Sequence, residues 1–385
     1  MRFAVDAHAI GRHLTGNEVY VRSLLNAFAA QDRDCEIMAY VSSLESCASI
    51  PASIRTRRVA LNPFLRLGYD LSMKVRQDRP DLLHVQYTAP LACPVPVVAT
   101  VHDVSFLEHP EYFTHRRAWQ LQETVGRTVR RAAKILTGTE VARASILKVY
   151  GDLEEDKVVV VPYAAASEFR PVSREAAARE VEDRHEMEGP FILSVGDIQP
   201  RKNHIGLIRA FAKLVKAYPQ LKHKLVLVGK PTWFAAKVEE AARESGVRER
   251  IRFLGFVPDG ELLQLYTACE VFVFPSFYEG FGLPALEAMA CGRAVVCSDA
   301  SALPEVVNGA AILFDPYAME EMVRAIADIL LDTELRGRME RLGIQRAAQF
   351  SWQKTAERTL EVFHEVMEQA RPLLERATVP SMAHR

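Results

Sequence analysis

The sequence predicts an α/β protein made of two Rossmann-like, doubly wound domains that face each other across a cleft. Three observations carry that prediction. Short apolar runs rich in β-branched residues alternate with amphipathic stretches from end to end, which is the pattern of parallel βαβ units. The alternation is interrupted once, at residues 162–171, where PYAAASEFRP follows neither a strand nor a helix period and reads as a linker, and it then restarts. The 385 residues suffice for two domains of ordinary size, and 49% hydrophobic with 25% charged residues is the balance of a folded globular chain.

In the first half the expected strands are 2–8, 36–41, 54–59, 82–85, 97–101, 134–137 and 158–161, with helical patterns such as 17–30 and 116–132 between them. In the second half they are 191–195, 224–228, 251–254, 271–274, 294–297 and 311–314, each followed by a turn and a helix. Domains are therefore expected at 1–165 and 166–355. Residues 356–385 read as a helix able to cross back to the first domain and a frayed tail. Open sheets of this kind bind ligands beyond the carboxyl ends of their strands, so motifs at those ends are the site candidates.

Composition removes several classes. A formal net charge of -1 argues against a bulk nucleic-acid binder, although arginines cluster at Arg55, Arg57 and Arg58 and at Arg127, Arg130 and Arg131. The six cysteines lie far apart without a C-x-x-C pair, which fits reduced thiols better than disulfides or zinc. Asp6 comes too early for a signal peptide, and no stretch approaches the ~18 apolar residues of a membrane span, so a cytoplasmic location is expected. The stretch 66–79 interleaves Leu67, Tyr69, Leu71, Met73 and Val75 with Lys74 and Arg76. It reads either as a helix with one face on the core or as a peripheral contact with the inner face of an anionic membrane.

The most specific segment is 275–292, PSFYEGFGLPALEAMACG: a buried strand, a glycine-containing turn and a helix starting near Leu283, with Pro284 in its first turn. Gly280 and Gly282 permit close backbone approach to a ligand, and free amides at the helix start suit phosphate or developing negative charge. Glu279 and Glu287, eight residues apart, supply carboxylates that accept from sugar and ribose hydroxyls. In 194–203, SVGDIQPRKN, a second strand end carries Arg201 and Lys202, a pair able to clamp phosphate oxygens. In 100–106, TVHDVSF with its preceding strand places His102 and Asp103 at a strand end of the first domain. Leu14, Gly16 and Glu18 lie where the first helix opens, and Val257 follows the strand at 251–254.

The segment 275–292 resembles the E-x7-E signature of retaining glycosyltransferases of family 4, which have the GT-B fold, and the resemblance covers essentially the whole chain. It implies that Glu279 contacts the donor sugar, that Glu287 binds the ribose, and that the amides of Phe281, Gly282 and Leu283 meet the diphosphate and sugar. It implies a phosphate clamp at Arg201 and Lys202, since Asp197 stands where many members have an arginine. It places His102 at the reaction centre, Asp103 in a supporting or acceptor-contacting role and Val257 against the base. Where many members carry a glycine pair and an arginine in the first loop, this chain keeps Gly16 for close backbone approach to the donor but has Glu18, an acid that repels phosphate, so the loop is expected to serve the acceptor or the sugar more than the diphosphate. Asp299, Ser301 and Glu305 flank the site. The first domain is then the acceptor side and the second the nucleotide-sugar side.

The implied reaction is transfer of a hexosyl group, with retention, from a GDP- or UDP-sugar to a glycan or lipid-linked acceptor in polysaccharide biosynthesis. No metal and no further cofactor are required. The pattern of 200–203 with His102-Asp103 resembles bacterial polysaccharide mannosyltransferases and favours GDP-mannose. A sugar-nucleotide epimerase or hydrolase of the same fold, and an inactive assembly scaffold, are the alternatives. There is no Walker A loop, no G-x-G-x-x-G and no G-x-S-x-G. Asp32-Arg33-Asp34 spells D-x-D but reads as a solvated loop, and His102, Asp103 and His109 lack a metal-ligand spacing.

Overall fold

A computed structural model describes residues 1–12, 15–31, 34–43, 47 and 49–378. The chain divides into two compact units, Met1–Pro162 with Trp352–Arg385, and Tyr163–Ser351. Leu14, Asp32, Arg33 and the tail from Val379 lie outside the described residues.

The first unit is a parallel sheet of seven strands: β1 (Arg2–Asp6), β2 (Glu36–Val41), β3 (Arg55–Arg58), β4 (Leu82–Gln86), β5 (Val97–Thr100), β6 (Lys134–Thr137) and β7 (Val158–Val160), in the order β3-β2-β1-β4-β5-β6-β7. Apart from the edge strand β3, with sequence RTRR, its strands are largely apolar on both faces because helices cover both. Met38, Tyr40, Leu83, Val85 and Ala99 join the core cluster on one face. Phe3 of β1 and His84 of β4 turn to the other, where Phe363 of the terminal helix Trp352–Thr378 meets them at ring-centroid distances of 5.2 and 5.5 Å. The same phenylalanine lies 6.3 Å from Phe28 of the helix Thr15–Ala30. Truncating so buried a phenylalanine to Ala costs about 3–5 kcal/mol, so the terminal helix is an integral layer of this unit.

The second unit is a parallel sheet of six strands: β8 (Phe191–Val195), β9 (Lys224–Val228), β10 (Ile251–Gly255), β11 (Val271–Phe274), β12 (Val295–Ser298) and β13 (Ile312–Phe314), in the order β10-β9-β8-β11-β12-β13. Strand periodicity sorts its residues cleanly. Leu193, Val226, Phe272 and Val295 enter one core cluster, while Ile192, Leu225, Val271 and Val296 enter the other. The stretch 162–171 is not a free linker: Tyr163, Ala164, Ala166 and Phe169 are buried, the last two in the first of those clusters. Its alanines and aromatics follow no period because they pack as irregular chain.

In each sheet the strand order reverses once, between β1 and β4 and between β8 and β11. These reversals open a crevice at the carboxyl ends, where helices leave in opposite directions.

Candidate functional site

At the second unit's reversal, the turn after β8 and the turn after β11 are bonded together. Pro200–Lys202 forms a single 3₁₀ turn, and Arg201 O accepts from Phe277 N at 2.8 Å. Arg201 Nη1 donates to Tyr278 O and to Glu279 Oε2, each at 3.0 Å, and Lys202 Nζ donates to Glu279 Oε1 at 2.6 Å. The Lys202 ammonium also sits 4.7 Å from the centroid of the Phe274 ring. Two cations and one carboxylate from distant segments thus form a single buried cluster. Burial by itself would raise the Glu279 pKa, but Lys202 and then Arg201 outweigh it and hold the carboxyl at about 2. Burial draws the Lys202 ammonium downward, against the attraction of Glu279.

The helix Leu283–Ala290 begins where it does because Gly282 adopts φ 97° and Pro284 occupies its first turn. A β-carbon on Gly282 would lie 2.4 Å from Leu303 Cδ2, so a larger residue would have to displace that side chain as well as adopt a positive φ. Gly229 is constrained more tightly, because a β-carbon there would come within 2.0 Å of the main-chain Gly196 O, in the turn that leads to Arg201. The side chain of Phe281 packs on Tyr163 at 4.9 Å and on Phe350 at 5.8 Å. Leu283 opens the helix, and Val257 is buried just past Gly255 at the end of β10.

Glu287 is buried too, within the helix rather than on a solvated face, and accepts from the Tyr266 hydroxyl at 2.9 Å. Tyr266 is absent from the sequence reading, and its place in an ordinary amphipathic helix, Asp259–Ala268, gives no signal. Ser301 donates to Glu279 O at 2.7 Å, which ties the flanking segment to the turn. Asp197 accepts from Lys230 N at 3.3 Å and braces the β8 turn.

At the first unit's reversal, His102 follows β5 and its Nε2 lies 2.8 Å from Gln86 Oε1, at the end of β4. Tyr20 and Tyr87 pack edge-on against the imidazole at 4.8 and 5.4 Å. Tyr87 holds φ 59°, a conformation that costs a non-glycine residue roughly 1–2 kcal/mol and that concentrates at functional sites. Burial pushes the His102 pKa down to about 3, so the ring is neutral. Asp103 turns back to accept from Ser105 N at 2.9 Å and Ser105 Oγ at 2.6 Å, just ahead of a short helix, Ser105–Glu108. Glu18 accepts from Gly11 N at 3.0 Å across the first loop, and Gly16 sits in the first helical turn with open space where a side chain would go.

The basic stretch 66–79 meets the core. Arg66 is buried in an ion pair with Asp6, Leu71 and Val75 face inward, and Lys74 pairs with Asp70 at 2.8 Å. Asp34 of the D-x-D is described, whereas Asp32 and Arg33 are not. Among the described residues no three His, Cys, Asp or Glu side chains come together as metal ligands, and no helix is long and apolar enough to cross a membrane.

A two-unit parallel α/β chain with an E-x7-E turn at one strand reversal is a glycosyltransferase of the GT-B class. A family model for glycosyl transferases group 1 matches residues 177–346, and one for glycosyltransferase family 4 matches residues 14–165. The chain belongs to glycosyltransferase family 4. It is 35% identical over 268 residues to O-antigen chain mannosyltransferase B of Escherichia coli, covering 69% of each chain. It is 32% identical over 241 residues to the serotype-specific mannosyltransferase WbdA of E. coli, covering 62% of this chain but only 29% of WbdA. Among solved structures, Anabaena HepE in complex with UDP and glucose superposes with a TM-score of 0.76 at 18% identity, covering 94% of this chain and 99% of that one.

Proposed function

We propose that this glycosyltransferase moves a mannosyl group from GDP-mannose, with retention at the anomeric carbon, to a hydroxyl of a glycan or lipid-linked saccharide in polysaccharide biosynthesis. The observation that carries this reading is the Arg201–Lys202–Glu279 cluster, set against the glycine turn that starts the Leu283 helix. The cations and the turn amides supply what a pyrophosphate needs, and Glu279 is a charged acceptor for sugar hydroxyls. The mannosyl assignment is supported by the names of the two E. coli relatives.

In the proposed step the bond from the anomeric carbon to the β-phosphate oxygen breaks and the acceptor oxygen bonds to that carbon on the same face. The acceptor's proton passes to the departing diphosphate, giving GDP and the mannoside. The negative charge that grows on the leaving diphosphate is offset by Arg201, Lys202 and the turn amides, so no metal is called for. His102 stands beside the transferred sugar. Contact with a membrane bearing the acceptor is supported by Leu61, Phe64, Leu65 and Tyr69, all more than half exposed.

A thermal-shift screen of GDP- and UDP-sugars, with and without divalent metal, tests the reading. GDP-mannose is expected to stabilise the wild type without metal, and to do so less in Lys202→Ala and Glu287→Ala. A ligand that stabilises all three proteins equally would show that the site lies elsewhere. Rapid consumption of donor without acceptor would favour a hydrolase or epimerase instead.

A further inference from the structure

The imidazole of His102 is held on three sides. The rings of Tyr20 and Tyr87 stand at 77° and 66° to it and restrict its plane, while Gln86 Oε1 meets its Nε2 at 2.8 Å. An amide oxygen only accepts, so a neutral imidazole facing it carries its proton on Nε2 and its lone pair on Nδ1. Gln86 is 5% exposed, and among the described residues its Nε2 has no hydrogen-bond partner. An unbonded buried N–H is a cost that a residue with only a packing role would avoid, because an apolar side chain fills the same space without it. The amide is explained by the bond it makes to His102.

We propose that Gln86 is a positioning residue for His102, holding it as the tautomer protonated on Nε2 and fixing the direction in which Nδ1 points during sugar transfer. This rests on the reading of His102 as a reaction-centre residue. Three neighbouring titratable groups have partners of their own. Asp103 is turned to Ser105, His84 bonds Thr100 Oγ1 at 2.7 Å with Tyr20 on the same oxygen at 3.0 Å, and Asp6 is paired with Arg66. Burial keeps His84 and His102 both neutral.

The test is a long-range proton–nitrogen correlation spectrum of the full chain labelled with ¹⁵N-histidine, with His102 assigned through His102→Asn, alongside GDP release from GDP-mannose. The wild type is expected to show a protonated Nε2 and a bare Nδ1. Gln86→Leu is expected to mix the tautomers and to lower kcat about 10- to 100-fold, the range for lost outer partners of site histidines, with donor KM unchanged. Gln86→Glu keeps the acceptor and adds charge. It should retain the Nε2 proton, raise the His102 pKa and give kcat an acid limb that the wild type lacks. A wild-type proton on Nδ1, or a Gln86→Leu protein with wild-type spectrum and kcat, would overturn the proposal. Undiminished kcat in His102→Asn would instead overturn the reading of His102 itself, whatever the tautomer.

Discussion

Lys202 Nζ and Glu279 Oε1, 77 residues apart in sequence, meet at 2.6 Å in the interior of the second unit. With Arg201 on the other carboxylate oxygen, the two cations proposed to clamp phosphate are both paired with an internal anion. Glu279 offsets the mutual repulsion of the buried Lys202 and the partly buried Arg201, and in the proposed function the same carboxylate also meets the donor sugar.

That double duty separates two variants. Lys202→Ala is expected to lower turnover about 100- to 1000-fold and to weaken GDP binding, because it removes a preorganised stabiliser of leaving-group charge. Glu279→Gln removes the competitor for the cations, so GDP affinity should hold or rise while sugar transfer collapses. Calorimetry with GDP, set beside steady-state kinetics, reads both. Parallel losses of GDP affinity in the two variants would contradict this division of roles.

The Tyr266–Glu287 bond predicts a binding defect without a change in mechanism. Tyr266→Phe removes one donor from a buried carboxylate, at a cost of about 1–3 kcal/mol in stability. A Glu287 that is no longer held should bind nucleotide more weakly, raising donor KM more than it lowers kcat. Unaltered donor KM in a folded Tyr266→Phe protein would disprove the link.

Acid sensitivity should begin above the carboxylate range. His84, His102 and His204 are all drawn by burial from 6.5 to about 3. Between those values the unfolded chain binds protons that the folded chain refuses, so stability falls as pH drops below 6.5, by about 1.4 kcal/mol per pH unit for each histidine. Glu279 adds its loss lower down, as pH falls from 4.5 toward 2. Urea midpoints measured from pH 8 to 4 should decline already below 6.5. A flat profile down to pH 5 would show that these rings are not buried neutral.

Much of the architecture could be read from residues alone because it follows from periodicity. Ile192 and Leu193 serve opposite cores since strand side chains alternate, and the described strands, the edge strand RTRR of Arg55–Arg58 excepted, stand where apolar runs announce them. The turn at Gly282 could be read as well, since a glycine, a proline and two spaced glutamates are local chemistry. Arg66 and the stretch 162–171 could not. Arg66 looks like a surface charge until Asp6, 60 residues away, is seen to neutralise it, and the packing of Tyr163 and Phe169 follows no period. Gln86, Tyr87 and Tyr266 carry no motif at all.

The sequence by itself determined two doubly wound units and the chemical inventory at their strand ends, because alternation, capping and glycine turns act over a few residues. Only the tertiary structure decided that Glu279 neutralises Arg201 and Lys202, that Tyr266 holds Glu287, and that Gln86 bonds His102. Those pairings depend on which strands become neighbours at the two reversals. Strand order is set by packing across the whole sheet, a long-range outcome that no short window of residues encodes.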